Sequence, residues 1–479
     1  MINSLALTTP ELLLSLGAIA LLMVAAFMGE RSARLVSWLS VALLGGAAIL
    51  LFGPAGQGGD AFAGLFRADA FATFAKVLIY AASAVAIIAA QGWFVRGGVH
   101  KPEYPILILL STAGAGMMVS ATDLMMLYVG LELQSLSSYV LASFQRRDER
   151  STEAGLKYFV LGALASGILL YGISLLYGFT GSTNFSTIFA SMKGVEAVSL
   201  GKLFGLVFVM AGLAFKIAAV PFHMWTPDVY EGAPTPVTAL FATAQKVAAV
   251  ALLCRVAIEA LGPATDAWRQ IVIFSALASI VLGAVAAYGQ TNIKRLLAYS
   301  SINNIGFALI GLAAGTPEGI ASVLFYMAVY IVMTWGAFLC VMHMRDLDGR
   351  PVEAIAALAG LSRTRLGLAS AMAMFMFSLA GIPMLLGFVP KLAVFQAAVD
   401  AGLWQLALAG AIGSVIGAYY YLKIVKVMFF DEPAAPIEPT RGDLNSGLIA
   451  MAAVFVSPAG YLALPALGAA SLAAARSLF

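Results

Sequence analysis

Charged side chains are scarce in this sequence. Only 11% of its 479 residues are Asp, Glu, Lys or Arg, whereas soluble globular proteins carry about 25%. The chain therefore has no room for a soluble catalytic domain of ordinary composition. Its net charge of +3 is also small, and most of its basic residues lie in loops, so no nucleic-acid partner is expected.

Cysteine and histidine are nearly absent as well. The two cysteines, Cys254 and Cys340, lie far apart inside apolar stretches, which excludes a Cys-ligated iron–sulfur cluster within the chain and argues against a disulfide framework. The three histidines, His100, His223 and His343, lie on separate segments, which argues against a bis-His haem. We therefore expect no cofactor or metal in this chain, and any redox centre should lie in another subunit.

Apolar residues, in contrast, make up 61% of the chain and occur in long runs separated by short polar gaps. A run of about 20 residues crosses the ~30 Å hydrocarbon core of a bilayer as a helix. The pattern predicts an all-α, polytopic membrane protein with about 14 transmembrane helices. The first run has no basic segment before it and is expected to remain as helix 1 rather than to be cleaved. The predicted spans are 10–28, 34–53, 69–92, 104–120, 122–144, 154–179, 202–220, 236–260, 267–288, 293–314, 317–342, 366–400, 403–428 and 445–470.

The charges of the loops predict how these helices are oriented. If both termini face the non-cytoplasmic side, 16 of the 27 Lys and Arg residues, among them Arg441, lie in cytoplasmic loops and 5 lie on the other side. Cytoplasmic loops of membrane proteins carry an excess of basic residues. The asymmetry therefore supports both the even number of helices and this orientation.

Six basic residues fall inside the predicted helices, where a charge costs a few kcal/mol unless it has a local reason to be there. These six are Lys76, Lys157, Lys216, Lys246, Arg255 and Lys391. Lys76 and Arg255 lie within about two turns of a predicted helix end, so we expect their side chains to extend to the lipid headgroups. Lys157 is close to the inner boundary, and its role is left open.

Lys216, Lys246 and Lys391 lie deeper in their helices. Lys246 and Glu132 are each ten residues into a predicted helix, about 15 Å deep and near the membrane midplane. One interpretation is a Glu–Lys bridge that only fastens helices together. One glutamate cannot neutralise three lysines, however, so we favour groups that titrate, since burial lowers the pKa of a lysine and a nearby carboxylate raises it.

Predicted helix breaks accompany two of these lysines. Lys216 is followed by Pro221, and Lys391 follows the segment Gly381–Pro383. Proline removes a backbone donor, and paired broken helices in corresponding halves are typical of transporters built from inverted repeats. The sequence therefore predicts two inverted five-helix repeats with broken helices 7 and 12. The expected organisation is helices 1–3 at 1–103, the first repeat at 104–260, the second at 267–430 and helix 14 at 445–479.

Other polar residues lie close to these breaks. His223 follows the first break, where an unperturbed pKa near 6.5 would suit proton uptake, although such a histidine can equally be an interfacial polar residue. The segment Tyr299–Asn304 on helix 10 either orders water or forms hydrogen bonds between helices.

Three segments resemble a known family. They are Phe222–Ala239, with the sequence FHMWTPDVYEGAPTPVTA, together with Gly130–Leu136 and Leu379–Pro383. All three resemble signature motifs of the antiporter-like membrane subunits of respiratory NADH:quinone oxidoreductase (complex I). The run that continues through Thr243–Ala249 is most similar to the N-type members. The resemblance covers nearly the whole length of the chain.

This resemblance implies a role for each deep charge. Glu132 and Lys216 correspond to the family's ion pair, Lys246 to its central lysine, and Lys391 to the residue on helix 12 at the end of the path. Lysine at the last position is typical of N-type and L-type subunits, whereas M-type subunits usually have glutamate. These four residues are the predicted proton-translocation site.

Lys157 and His223 are further candidates for the same site. The sequence departs from the family pattern at two positions. Asn304 replaces a histidine that N-type subunits often have on helix 10, and Pro390 directly precedes Lys391. The first departure weakens any titrating role for helix 10, and the second affects the geometry at the far end of the path.

The resemblance also implies a function and a set of partners. The chain is expected to be a proton-translocating membrane-arm subunit of NADH:quinone oxidoreductase in the bacterial inner membrane, with both termini on the periplasmic side. Its partners would be other membrane-arm subunits, including the M-type subunit and small membrane subunits, and lipids. Flavin and iron–sulfur clusters would lie in partner subunits. The alternatives are a subunit of a multisubunit cation/proton antiporter and a purely structural anchor.

Overall fold

The computed structural model describes residues 2–194, 198–438 and 444–479. Arg441, one of the basic residues used to predict the orientation, lies outside the described residues. Nearly all the secondary structure is helical, and twelve stretches of the described chain are long and apolar enough to cross a membrane. The prediction of an all-α polytopic membrane protein is confirmed.

These stretches form fourteen membrane-crossing segments within the described chain. The first stretch, Thr9–Leu50, contains two helices. The helices Leu366–Ala380 and Phe388–Asp400 together supply a further crossing. Helices 1 to 14 are therefore Thr9–Met28, Ala33–Leu50, Ala70–Arg96, Glu103–Ser120, Leu124–Ala142, Glu149–Thr180, Leu200–Ile217, Thr235–Ala260, Thr265–Tyr288, Ile293–Ala314, Pro317–Met342, 366–400, Trp404–Phe430 and 444–476.

Helices 7 and 12 are interrupted where the sequence predicts it. Helix 7 ends at Ile217 because Ala218 adopts a left-handed conformation, with φ of 59°. A short helix, Trp225–Gly232, then leads into helix 8. Helix 12 is divided by the segment 381–387, in which Gly381 is also left-handed, with φ of 83°. Such unwound backbone can persist at membrane depth because the surrounding protein satisfies its polar groups.

Helix 8 is also interrupted, although we predicted it as continuous. Its two α-helical parts, Thr235–Ala242 and Ala244–Arg255, meet at Thr243, and a π-helical turn, Val256–Ala260, follows the second part. The Thr243 hydroxyl donates to the carbonyl of Ala239 at 2.6 Å, while its backbone N–H donates instead to Leu240. A side chain has thus replaced one helical hydrogen bond, and no proline or glycine marks this break in the sequence.

Helix 14 likewise differs from the prediction of one continuous span. It consists of Leu444–Val456 and Leu464–Arg476, joined by the 3-10 turn Pro458–Ala463. Pro458 supplies the physical reason, because proline cannot donate the backbone hydrogen bond that would continue the first part. A small antiparallel hairpin, β1 (Gly59–Ala61) with β2 (Phe66–Ala68), was not predicted either.

Three helices form the centre of the molecule. In helix 8 all of the most apolar window is buried inside the protein, and in helices 10 and 11 the buried share is 94%. In helix 1 only 22% of the corresponding window is buried, so this helix lies at the periphery. Polar groups on helices 8, 10 and 11 are therefore surrounded by protein and do not face lipid.

Candidate functional site

The three deep lysines are all enclosed by protein. The exposed fractions are 8% for Lys216, 1% for Lys246 and 5% for Lys391. They lie on helices 7, 8 and 12, and none extends to the protein surface. A buried ammonium group requires hydrogen-bond acceptors to replace water, so the acceptors around each lysine define the site.

Lys216 and Glu132 form the first part of the site, on helices 7 and 5. The Nζ atom of Lys216 donates to Ser135 Oγ at 2.8 Å. The half-buried Glu132 carboxylate instead accepts a hydrogen bond from the hydroxyl of Ser166 on helix 6. Among the described residues, Glu132 and Lys216 form no ion pair within 4.0 Å. Each charge is therefore held by its own serine hydroxyl, which can accept from an ammonium or donate to a carboxylate.

Lys246 lies against the break in helix 7. Its Nζ atom donates to the carbonyl of Ile217, the last residue of that helix, at 2.5 Å. Trp225 donates its indole N–H to the carbonyl of Phe215 at 3.0 Å, and its ring lies 5.9 Å from Lys246 Nζ. Carbonyls in the last turn of a helix lack intrahelical partners and carry partial negative charge. The helix end therefore stabilises the ammonium form of Lys246.

Lys391 has the same relationship to the break in helix 12. Its Nζ atom donates to the carbonyls of Leu379 and Ala380, at 2.8 and 3.0 Å, and to Ser414 Oγ at 3.3 Å. Gly381 makes this approach possible, because a Cβ there would lie 2.8 Å from the Lys391 side chain. Two lysines on different parts of the chain thus bind the carbonyl end of a broken helix in the same way.

A hydrogen-bonded group of side chains lies on helices 10, 11 and 13. Asn304 donates to the Ser300 carbonyl at 2.7 Å and to Tyr421 OH at 3.1 Å, and it accepts from Tyr326 OH at 2.6 Å. The hydroxyl oxygens of Ser300 and Tyr421 are hydrogen-bonded to each other at 2.5 Å. Asn304 therefore joins three helices as a non-titrating hub, in agreement with the helix 10 hydrogen bonds considered from the sequence.

Four buried hydroxyl groups close to helices 10 and 11 form no hydrogen bond of standard geometry within the described residues. They belong to Tyr230, Ser301, Tyr330 and Thr334. Buried polar groups of this kind are commonly satisfied by internal water. The centre of the protein therefore offers sites for water beside helices 10 and 11, two of the three most completely enclosed helices.

Lys157 lies outside this buried set. Its side chain is 41% exposed and pairs with Glu153 at 2.6 Å and with Asp228 at 2.9 Å. Asp228 also binds Arg295 at 2.6 Å. Burial raises the pKa of Asp228, but the hydrogen bonds from Lys157 and Arg295 outweigh it and bring the pKa below the usual value. Asp228 is therefore ionised at neutral pH and fastens helices 6 and 10 to the segment between helices 7 and 8.

His223 is half-buried in the connection after the break in helix 7. Burial lowers the pKa of its imidazole, although a backbone hydrogen bond at Pro221 acts in the opposite direction. The ring is therefore neutral near pH 7 and can accept a proton. Its Nδ1 atom has no hydrogen-bond partner in the described parts of the chain.

The prediction that Lys76 and Arg255 extend to the headgroups is wrong. Both side chains are fully buried. Lys76 Nζ lies 2.7 Å from Glu11 of helix 1, and Arg255 binds Asp69 at 2.8 Å and Glu259 at 2.6 Å. The positions of Lys76 and Arg255 near predicted helix ends suggested that their side chains reach the headgroups. Most of their partners, however, are distant in sequence and become neighbours only in the folded chain.

Comparison with known proteins places the chain in a family. A sequence profile described as NADH:quinone oxidoreductase/Mrp antiporter, transmembrane, matches residues 121–417, more than half of the chain. NADH-quinone oxidoreductase subunit N of Rhizorhabdus wittichii is 66% identical, with 100% of each chain covered. The chain belongs to the subunit N family. The same-named protein of Sphingopyxis alaskensis is 58% identical, again with 100% of both chains covered.

Solved structures share the architecture of this subunit N family member. A chain of respiratory complex I from Thermus thermophilus with bound aureothin has a TM-score of 0.81 and 31% identity, covering 96% of this chain and 99% of that one. A chain of the Mrp complex from Dietzia sp. DQ12-45-1b has a TM-score of 0.85 and 23% identity, covering 98% and 97%. The second similarity shows a shared fold alone.

Several polar residues of the site escaped the sequence reasoning. Ser135 and Ser166 hold the two charges. Ser135 lies within the Gly130–Leu136 motif, three residues after Glu132, whereas nothing in the sequence marks Ser166. Tyr326, Tyr330 and Thr334 on helix 11 are spaced by four residues, which puts their side chains on one face of the helix. From that spacing, the sequence could have predicted that helix 11 directs a polar face towards the centre of this subunit N family member.

Proposed function

We propose that this chain is a proton-translocating subunit in the membrane arm of a respiratory NADH:quinone oxidoreductase. The observation that carries the proposal is the row of enclosed lysines, two of which bind the carbonyl end of a broken helix. Lysines in such sites exchange protons when their surroundings change. The relatives named NADH-quinone oxidoreductase subunit N match over their full length.

The proton path runs through Glu132, Lys216, Lys246 and Lys391. Electron transfer from NADH to quinone takes place in partner subunits, which also hold the flavin and the iron–sulfur clusters. NADH and quinone themselves do not contact this chain. A change transmitted from the partners alters the distance between Glu132 and Lys216, and the proton on Lys216 then moves towards Lys246 and Lys391. His223 and the exposed Lys157 lie at the side where protons are taken up.

The chain occupies the bacterial inner membrane with both termini on the periplasmic side. The excess of basic residues in alternate loops supports this orientation. Residues 104–260 and 267–430 form two inverted five-helix repeats, between helices 1–3 at 1–103 and helix 14 at 445–479. The breaks in helices 7 and 12, each the fourth helix of its five-helix unit, support the repeat. An M-type subunit, small membrane subunits and lipids surround the chain.

Replacing Lys216 with methionine tests this function. Methionine keeps an unbranched side chain but cannot titrate, so NADH-driven proton pumping is expected to fall by about 100-fold, the scale of a lost acid–base group. Pumping is measured by dye quenching in inverted membrane vesicles. Dehydrogenase activity at the flavin site, measured with ferricyanide, should remain at the wild-type level.

Lys426→Met on helix 13 is the matched comparison. It removes a lysine whose side chain is 64% exposed and pairs with Asp431, so most of the pumping is expected to remain. Full pumping by Lys216→Met would refute the proposed function. A cation/proton antiporter subunit is the alternative, and mass spectrometry of what co-purifies in mild detergent separates the two, because only the oxidoreductase contains flavin and iron–sulfur subunits.

A further inference from the structure

A small cavity lies between the groups that hold Glu132 and Lys216. Its volume is about 10 Å³, which is close to the minimum for one water molecule. Ser135, Ser166 and Lys216 all line it. It is therefore lined by the lysine and by the serine whose hydroxyl is hydrogen-bonded to the Glu132 carboxylate.

The two serines have different hydrogen-bond arrangements. Ser135 Oγ donates to the carbonyl of Leu131 at 2.7 Å, so its oxygen is left to accept from Lys216 at 2.8 Å. A hydroxyl has a single proton to donate, and Ser135 has already committed its proton to the backbone. Ser166 instead donates its proton to Glu132. Its oxygen can accept two hydrogen bonds: the Tyr128 hydroxyl lies 3.2 Å away, and the second acceptor site is available to the cavity that Ser166 lines.

We propose that a water molecule in this cavity and the Ser166 hydroxyl carry the proton between Lys216 and Glu132, while Ser135 is a positioning residue that keeps Lys216 from pairing directly with Glu132. This inference rests on the proposed function and adds two residues to it.

The transfer from Lys216 to Glu132 moves only protons and requires no oxidant or reductant. Lys216 gives one proton to the water, the water gives one to Ser166, and Ser166 gives its own proton to Glu132. The N–H bond of the ammonium breaks and an O–H bond forms on the carboxyl group. Lys216 ends as a neutral amine, Glu132 ends as a neutral acid, and the water and the serine are unchanged. Return of the proton follows the same steps in reverse.

The Ser166 hydroxyl is tested by a pair of variants. Ser166→Ala removes the carrier and is expected to lower NADH-driven proton pumping about tenfold, since a hydrogen bond to a charged group contributes on that scale. Ser166→Thr retains a hydroxyl and should restore pumping. Ferricyanide reduction and the amount of assembled complex on native gels should stay at wild-type values in both variants.

Ser135 is tested in the same vesicles. Ser135→Ala frees Lys216 to form a static ion pair with Glu132, and pumping is expected to fall about tenfold, whereas Ser135→Thr should restore it. Ser137→Ala is the matched control, because Ser137 lies on the same helix and donates only to the carbonyl of Leu133, at 3.0 Å. This control should pump normally.

Two results would overturn the inference. One is wild-type pumping by both alanine variants, and the other is failure of both threonine variants to restore pumping where the complex has assembled. If Lys216→Met loses pumping while the alanine variants keep it, the serine relay is wrong and the proposed function stands. If Lys216→Met pumps fully, both fail.

Discussion

Arg255→Met is expected to prevent the chain from accumulating in an assembled complex. The Arg255 side chain is fully buried and donates to Asp69 through two bonds of 2.8 Å, to Glu259 at 2.6 Å and to the carbonyl of Val119 at 2.8 Å. Removing the arginine leaves two buried carboxylates without their common partner, which costs about 3–5 kcal/mol. The expected loss is read from native gels and from the thermal unfolding of the solubilised complex.

A matched control lies in the same network. Arg67 binds Asp60 at 2.8 Å and Glu259 at 3.4 Å, but its side chain is 36% exposed. Solvent therefore weakens these pairs, and Arg67→Met should change stability by less than about 1 kcal/mol. Replacing Asp69 with asparagine in the Arg255→Met background should recover part of the assembly. Normal assembly of Arg255→Met alone would contradict the expectation.

Lys246→Met is expected to abolish proton pumping while the complex still assembles. Lys246 is 1% exposed, so the variant removes a costly buried charge and leaves only the Ile217 carbonyl without its donor. Loss of a central titrating group should lower pumping by about 100-fold or more. Dye quenching in vesicles measures the effect, with ferricyanide reduction as the test of intact dehydrogenase subunits.

Two further variants separate proton transfer from helix capping. Lys246→Arg keeps the positive charge but cannot release a proton, so pumping should remain absent. Lys423→Met removes another lysine that donates to a backbone carbonyl, that of Tyr288 at 3.1 Å, but at an exposed position; this variant should pump normally. Pumping by Lys246→Arg at the wild-type rate would show that Lys246 acts only as a structural cap.

The sequence predicted the helices well because apolar runs and charged gaps follow directly from the cost of burying charge. The breaks in helices 7 and 12 were also predictable, since Pro221 and the Gly381–Pro383 segment disrupt helical hydrogen bonding in any context. The break at Thr243 was not, because threonine is common within helices and only its contact with Ala239 shows that it has replaced a backbone donor.

Contacts between distant helices were the least predictable part. Glu11 lies 65 positions before Lys76, and no local pattern links the two residues. Ser135 and Ser166 have the same difficulty: a serine in a membrane helix usually bonds its own backbone, as Ser137 does. Only the packing of helices 5, 6 and 7 shows which serines meet a charge.

The positions of Lys246 and Lys391 have a mechanical consequence. Each lysine donates a hydrogen bond to the carbonyl end of a helical segment other than its own. Thermodynamic linkage makes this coupling reciprocal. Moving a helix end away from its lysine lowers the proton affinity of that lysine. Deprotonation of the lysine weakens its interaction with the helix end by the same free energy. Under the proposed function, a displacement that begins in a neighbouring subunit and moves either helix end would therefore change the proton occupancy of Lys246 or Lys391.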